Sequence, residues 1–294
     1  MAALTSPRNP IPSTGLALDR TTLGDPALAS EDDRRRVLEL LIRTDPDLMR
    51  VLRGARRLAL PDWRLASGAV YQTVWNALTG REAGHGIKDF DLLYFDGADT
   101  GYEAEDREIA RGEALLADAP APVEIRNQAR VHLWFQARFA RPYPKLRCTD
   151  EALLNYASKT HAVAVRLEND DRLSVAAPFG LADVFAMRLV PNPVLDNAAT
   201  YVKKAQRMSA AWPEIEVVPW PAHAGPEHEG PAHAGPVTGE PSNDSAFEAD
   251  DPPRPVEDEP GAREPADQAL RDDPSQDGRD WMSLATSPRT ELPK

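Results

Sequence analysis

The chain has 294 residues, a net charge of −13 and a single cysteine, Cys148. That length allows one large domain or two modest ones, and a lone thiol excludes an internal disulfide and suits a reducing, cytoplasmic setting. No run approaches the ~20 apolar residues of a membrane span, so no membrane partner is expected.

The charge is uneven. Residues 214–294 hold 19 acidic against 6 basic side chains, which leaves residues 1–213 neutral with 28 of each. The same tail holds 14 of the 28 prolines, too dense for regular structure. It reads as a disordered acidic tail, and its echo of Pro221-Ala222-His223-Ala224-Gly225-Pro226 at Pro231-Ala232-His233-Ala234-Gly235-Pro236 reads as duplicated linker. Residues 1–29 lack the apolar core of a signal peptide and read as a flexible leader. The domain is expected over residues 30–213. Its neutrality argues against tracking a long nucleic acid, which usually needs a basic groove.

In chain order, Ser30 precedes Glu31, Asp32 and Asp33 as an N-cap with first-turn acids, and Val37, Leu38, Leu41 and Ile42 give that helix its apolar face. Asp45-Pro46 opens a second helix carried by Leu48, Met49, Val51 and Leu52. A Ser67-Gly68 turn then starts a third, striped by Val70, Val74, Trp75 and Leu78 and stopped at Gly80. A turn that opens a helix presents backbone N–H groups at a positive helix end, which suits phosphate.

Residues 86–96, rich in β-branched and aromatic side chains, read as a strand. Alternation puts Asp89 and Asp91 on one face, with Phe90, Leu92 and Tyr94 on the other. Two like charges so close call for a cation between them, and a hard divalent ion such as Mg²⁺ or Mn²⁺ answers. A helix is expected over 102–116. A strand with Glu124 follows, and Glu124 can join the same metal site if this strand lies beside the first. Arg126, Arg130 and His132 come next, and Arg is the preferred phosphate partner because its planar fork donates in pairs. Residues 128–139 read as helix, although Val131, Leu133 and Phe135 also alternate as in a strand. Beyond lie a short helix from Thr149, a hairpin of 162–167 and 172–176, and helices over 181–187 and 198–208. This order fits an α+β domain, a small mixed sheet with helices packed on one side.

Several stretches together resemble a known family. They are Gly68-Ala69-Val70-Tyr71-Gln72-Thr73-Val74-Trp75-Asn76, Gly86-Ile87-Lys88-Asp89-Phe90-Asp91-Leu92-Leu93-Tyr94-Phe95-Asp96, and Val123-Glu124-Ile125-Arg126-Asn127-Gln128-Ala129-Arg130. Ala177-Pro178-Phe179-Gly180-Leu181-Ala182-Asp183 and Arg188-Leu189-Val190-Pro191-Asn192-Pro193 extend the likeness. Residues 60–212 are similar to bacterial nucleotidyltransferase-like proteins of the DNA polymerase β-type superfamily. The resemblance implies a nucleotidyltransferase-like fold in which Gly68 belongs to the glycine turn, Asp89 and Asp91 form the metal pair, and Glu124 is the third carboxylate. In the superfamily the turn is usually Gly-Ser or Gly-Gly, whereas here Ser67 precedes Gly68 and Ala69 follows.

The function expected is metal-dependent transfer of a nucleoside monophosphate from an NTP to a hydroxyl on a small molecule, an RNA or a protein. Asp89, Asp91 and Glu124 are the catalytic and metal-binding residues, with Mg²⁺ or Mn²⁺ as cofactor. Ser67, Gly68, Lys88, Arg126 and Arg130 are the nucleotide-binding residues. The alternative is a non-catalytic nucleotide-binding regulatory module.

Overall fold

The structure is a computed structural model that describes residues 18–221. Residues 1–17 and most of the segment read as a disordered tail, including its histidine repeat, lie outside the described residues.

A five-stranded sheet organises the domain, in the order β3-β2-β1-β4-β5. Its strands are β1 (Arg64–Ala66), β2 (Phe90–Tyr94), β3 (Val123–Asn127), β4 (Ala164–Leu167) and β5 (Leu173–Ala176). β2 and β3 are parallel, joined through helix α5 (Tyr102–Leu115), and the other pairs are antiparallel. The period-2 alternation of the strands divides the sheet. Leu65, Leu92, Ile125 and Val165 stand in register and pack into the main core. Helices α2 (Glu31–Thr44), α3 (Pro46–Leu58) and α4 (Gly68–Thr79) supply the opposing apolar stripes, with Leu38, Leu52, Val70 and Val74 fully buried. The Ser30 cap of α2 and the Pro46 start of α3 are those read from the sequence. Ser30 and Asp33 form a reciprocal capping box, and the Asp45 carboxylate accepts from Asp47 N and Leu48 N.

Helices cover the other face as well, which corrects the one-sided expectation. Ala66, Leu93 and Ala164 form a second apolar cluster with Val131 and Phe135 of α6 (Val131–Phe139) and Leu153 of α7 (Asp150–Leu153). The alternation of Val131, Leu133 and Phe135 is therefore helical, with Leu133 turned outward and 57% exposed. The strand read over 86–96 is shorter than expected, because positive φ at Gly84 and Gly86 holds residues 83–86 in turns ahead of Phe90. The helix expected over 181–187 is the single turn α8 (Ala182–Phe185), after which Arg188–Leu189 becomes β6.

Packed structure extends past residues 30–213 at both ends. Helix α1 (Arg20–Gly24) is packed, with Leu23 fully buried and Arg20 Nε donating to Ala186 O at 2.8 Å. The buried Arg34 holds it, donating through Nε to Leu23 O at 2.6 Å and through Nη2 to Asp25 O at 2.9 Å. One short turn with a single core leucine has no periodicity to read, so this part of the supposed leader was invisible in sequence. At the other end, α9 (Ala198–Ala211) is followed by β7 (Glu216–Val217), parallel to β6. Arg81 forks onto Glu214 with two 3.0 Å bonds, and Tyr201 Oη donates to the Val218 carbonyl at 2.5 Å.

A chain ending at Pro221 is accordingly expected to melt with the full-length protein. One ending at Pro213 loses the β7 pairing, the Arg81–Glu214 fork and the Tyr201–Trp220 ring contact. At roughly 1 kcal/mol for each such contact, it should be destabilised by about 2–4 kcal/mol. Thermal melts of the two truncations decide this, and equal melting temperatures would place the boundary at Pro213.

Candidate active site

Sheet register assembles the acids. Asp91 pairs with Ala66 on one side and with Glu124 on the other. Directly paired residues project to the same face, so Asp91 and Glu124 stand side by side on strands about 4.8 Å apart. Asp89 lies two residues ahead of Asp91, just outside β2, and lines the same cleft. The small side chains of Ala66 and Ala164, paired with each other across β1 and β4, keep the adjacent sheet surface low.

That cleft, about 430 Å³, lies at the start of α4. Ser67, Gly68, Lys88, Asp89 and Asp91 all line it. Lys204 and Arg207 of α9 close it. The turn is unusual in its backbone. Ser67 sits at φ 53, ψ −114, a conformation that favours glycine, and its side chain makes no capping bond. The Ser67 carbonyl accepts from Val70 N at 2.9 Å and Tyr71 N at 3.1 Å. The first-turn N–H groups of Gly68 and Ala69 have no acceptor within the helix and stand where Gly68 lines the cleft. The strained residue is thus Ser67, and Gly68 takes the close-approach position.

The loop that delivers Lys88 and Asp89 is bolted to α4 and α9. Asn76 Nδ2 donates to His85 O at 2.9 Å, and Asn76 Oδ1 accepts from Trp212 Nε1 at 3.0 Å. Gly86, at φ 76, runs against the indole of Trp212, where a Cβ would come within 2.3 Å of the ring. The loop that follows α4 is thus tied to the end of α9, the helix that carries Lys204 and Arg207.

A second, partly open cavity of about 780 Å³ continues from Asp91 along the sheet face under α6. It shares Ser67, Asp91 and Lys204 with the first, and Arg126 lines it. His161, 3% exposed, is stacked on Tyr71 with ring centroids 4.5 Å apart. Burial, with Lys204 and Arg207 adding to it, holds the imidazole well below its usual 6.5 and so neutral. Burial also pushes the Tyr71 phenol up to about 12, although its oxygen accepts from Gln72 Nε2 at 3.1 Å and donates to Met208 Sδ at 3.2 Å.

The neutral His161 has a measurable consequence. Unfolded, a histidine takes up a proton near pH 6.5, whereas the buried one does not. Folded protein therefore loses stability as pH falls below 6.5, by up to about 1.4 kcal/mol per pH unit for one proton. In melts between pH 7.5 and 5, His161→Gln should show a flatter acid slope than wild type. Parallel slopes would mean that His161 titrates normally.

Of the residues singled out from sequence, Ser67, Gly68, Lys88, Asp89 and Asp91 line the polar cleft, Glu124 pairs with Asp91, and Arg126 lines the adjoining cavity. Arg130 is not brought there. It is 7% exposed, ion-paired to the buried Glu105, bonded to Thr100 O at 3.2 Å and packed over the Tyr102 ring. Its place in the sequence, three residues after β3 ends, turns it toward α5 and away from the cleft. Lys204, Arg207, Gln72 and His161 were missed. The signal for the first two was the basic spacing of Lys204 and Arg207 on one face of α9, but nothing local showed which part of the fold that face meets.

The donor set fits a hard divalent cation, being carboxylate oxygens next to a phosphate-suited helix end. Among the described residues, no three His, Cys, Asp or Glu side chains form a ready-made metal cage. Mg²⁺ in nucleotide enzymes ordinarily takes one or two carboxylates and draws its remaining ligands from substrate phosphates and water. The Asp91–Glu124 pair with Asp89 nearby suits that arrangement.

An open mixed sheet, a helix-opening turn and carboxylates on adjacent parallel strands together make the nucleotidyltransferase fold. Residues 53–217 match the model of the nucleotidyltransferase family, and the chain belongs to that family. One solved structure, described as an NMR structure that reveals a CCA-adding enzyme head domain, is similar with a TM-score of 0.50 and 23% identity. The similarity covers 62% of this chain and 96% of that one, and it shows the shared fold. No curated protein matches the chain. No helix among the described residues is long and apolar enough to cross a membrane.

The role of the turn can be separated from its structural part. At Gly68 a Cβ would sit 3.1 Å from Gln72 Nε2, a contact relieved by a shift of a few tenths of an ångström, so Gly68→Val should fold with a modest loss of stability. Its isopropyl group would occupy the phosphate approach, and affinity for a fluorescent ATP analogue should fall at least tenfold, about 1.4 kcal/mol. Gly80→Ala, at a left-handed C-cap with φ 69, should cost about 1–2 kcal/mol of stability and leave binding alone. Unchanged binding in Gly68→Val would make the turn merely structural.

Proposed function

We propose that the protein transfers a nucleoside monophosphate from an NTP to a hydroxyl acceptor, with Mg²⁺ or Mn²⁺ held by Asp89, Asp91 and Glu124. The observation that carries this reading is the register that sets Glu124 beside Asp91, itself in the lining of a cleft that Lys88, Lys204 and Arg207 also line. Ser67 and Gly68 would receive the triphosphate on backbone N–H groups, and Lys88, Lys204 and Arg207 would balance its charge. When bound, the divalent ion supplies Lewis-acid charge that eases ionisation of the hydroxyl and departure of pyrophosphate.

In the transfer the acceptor oxygen attacks the α-phosphorus. The new O–P bond forms as the bond to the bridging oxygen breaks, and pyrophosphate leaves with that electron pair. The hydroxyl proton passes to the Glu124 carboxylate and on to solvent. Arg126, which lines a cavity with Asp91, would steady the α-phosphate. The protein should convert α-labelled NTP in a Mg²⁺-dependent manner when supplied with small hydroxylated molecules, RNA and protein extracts. Binding of NTP without transfer to any of them would point instead to a regulatory nucleotide-binding module.

A further inference from the structure

The cavity beneath α6 is a separate compartment beside the cleft. Its walls are Leu93, Val131, Trp134, Phe135, Phe139 and Tyr156. Flat rings dominate, with Phe135 and Phe139 at 4.6 Å and Trp134 within 6.4 Å of Phe139. Two buried polar atoms in its lining residues have no hydrogen-bond partner among the described residues. They are Gln128 Oε1 and His161 Nε2, on side chains 2% and 3% exposed. The Gln128 amide is fixed, because its Nε2 donates to Arg126 O at 3.3 Å. A buried polar atom left unmatched costs roughly 1–3 kcal/mol, so a ligand group that reached either atom would offset that cost.

The two compartments meet at Asp91, and this fixes their roles. In phosphoryl transfer the entering and leaving oxygens lie roughly in line across the phosphorus. With the triphosphate on the Ser67-Gly68 side, pyrophosphate leaves toward Lys88 and Arg207. The attacking oxygen then comes from the side away from the leaving pyrophosphate, and the aromatic cavity, which shares Ser67, Asp91 and Lys204 with the cleft, is the adjoining compartment that can supply it. Mostly apolar walls and a volume of about 780 Å³ suit a small molecule, and Arg126, Arg138 and Lys204 in the same lining suit an anionic substituent on it.

We infer that this cavity is the acceptor site, and that the acceptor is a small aromatic molecule bearing the hydroxyl that receives the nucleotide. The inference rests on the nucleotidyl-transfer reading above. Its ring system stacks on Trp134 and Phe139, and the hydroxyl projects toward Asp91. The oxygen–phosphorus bond made, the bond broken and the fate of the proton are those already described, so the product is an aryl or arylalkyl nucleoside-monophosphate ester.

The test uses the full chain with Mg²⁺ and α,β-methylene-ATP, which binds without transferring. A panel of phenols, naphthols and aryl alcohols is screened by saturation-transfer NMR, and the best binder is titrated with and without the analogue. The expected result is a binder that occupies the protein together with the analogue. Val131→Trp, which fills the cavity, should abolish its binding. Trp134→Ala, which only removes a half-buried wall and guards against misfolding of the first variant, should weaken it about tenfold. Analogue affinity should stay within about twofold in both variants, since the polar cleft is untouched. Competition between binder and analogue would overturn the inference, because the cavity would then hold the nucleobase. Binding that persists in both variants, or an empty panel, would overturn it as well. Failure of the transfer reading shows separately, as wild type that takes up no analogue; the acceptor role falls with it, while binder lost in Val131→Trp still reports a ligand cavity.

Discussion

Asp91→Asn is expected to abolish nucleotidyl transfer, by at least about 10³-fold, while the protein melts where wild type does. The size follows from position. Asp91 pairs with Glu124, lines the polar cleft and also lines the aromatic cavity, so it stands where the two compartments join. Removing one anionic ligand from a divalent-ion site takes away transition-state charge stabilisation worth several kcal/mol, and about 4 kcal/mol is 10³-fold in rate. The amide keeps the shape of the carboxylate and removes one of two neighbouring negative charges, so stability should hold or rise slightly. Calorimetry with Mn²⁺ and a non-transferable ATP analogue reads the same site without knowledge of the acceptor, and its heat should be lost in the variant. A variant that still transfers label at near wild-type rate would remove the acids from the mechanism. Retained analogue binding with lost transfer would separate phosphate recognition by the turn from the chemistry at the carboxylates.

The sequence exposed those features that depend on local periodicity. The alternation of Asp91 with Phe90 and Leu92, the Ser30 cap, the Pro46 helix start and the Gly80 stop are written in a few adjacent residues, and the structure shows them, while Asp89 falls just outside the strand expected to hold it. The placement of Glu124 needed one further step, the pairing of β3 with β2, which alternation alone does not decide. What stayed hidden depends on contacts between distant segments. Lys204 and Arg207 reach the cleft because Trp212 is anchored by Asn76, 136 residues earlier. Leu23 belongs to the core because a buried arginine supplies bonds to an otherwise patternless turn. Arg130 illustrates the opposite error. Its charge and its closeness to Glu124 in sequence suggest phosphate binding, but its direction is set by Glu105, 25 residues away.

Arg130 therefore carries the second large effect, on stability. Its guanidinium and the Glu105 carboxylate are both almost fully buried, with side chains 8% and 4% exposed. Glu105 Oε1 also accepts from Asn127 N at 2.7 Å. Asn127 Oδ1 in turn accepts from Asp96 N and Ala129 N, both at 3.0 Å. The network ties α5 to the end of β3 and fixes the turn that leads through Gln128 into α6. Arg130→Met would leave the Glu105 charge buried without its cation, a loss of about 3–5 kcal/mol. For a domain of this size that lowers the melting temperature by about 10 °C. Adding Glu105→Leu should recover part of the loss, because replacing both members of a buried pair costs less than stranding one. Arg126→Met, at a half-buried cavity wall, should shift melting little. Below the transition, Arg130→Met should bind the ATP analogue as wild type does. An unchanged melting temperature together with lost analogue binding would return Arg130 to the nucleotide site and remove Glu105 as the reason for its orientation.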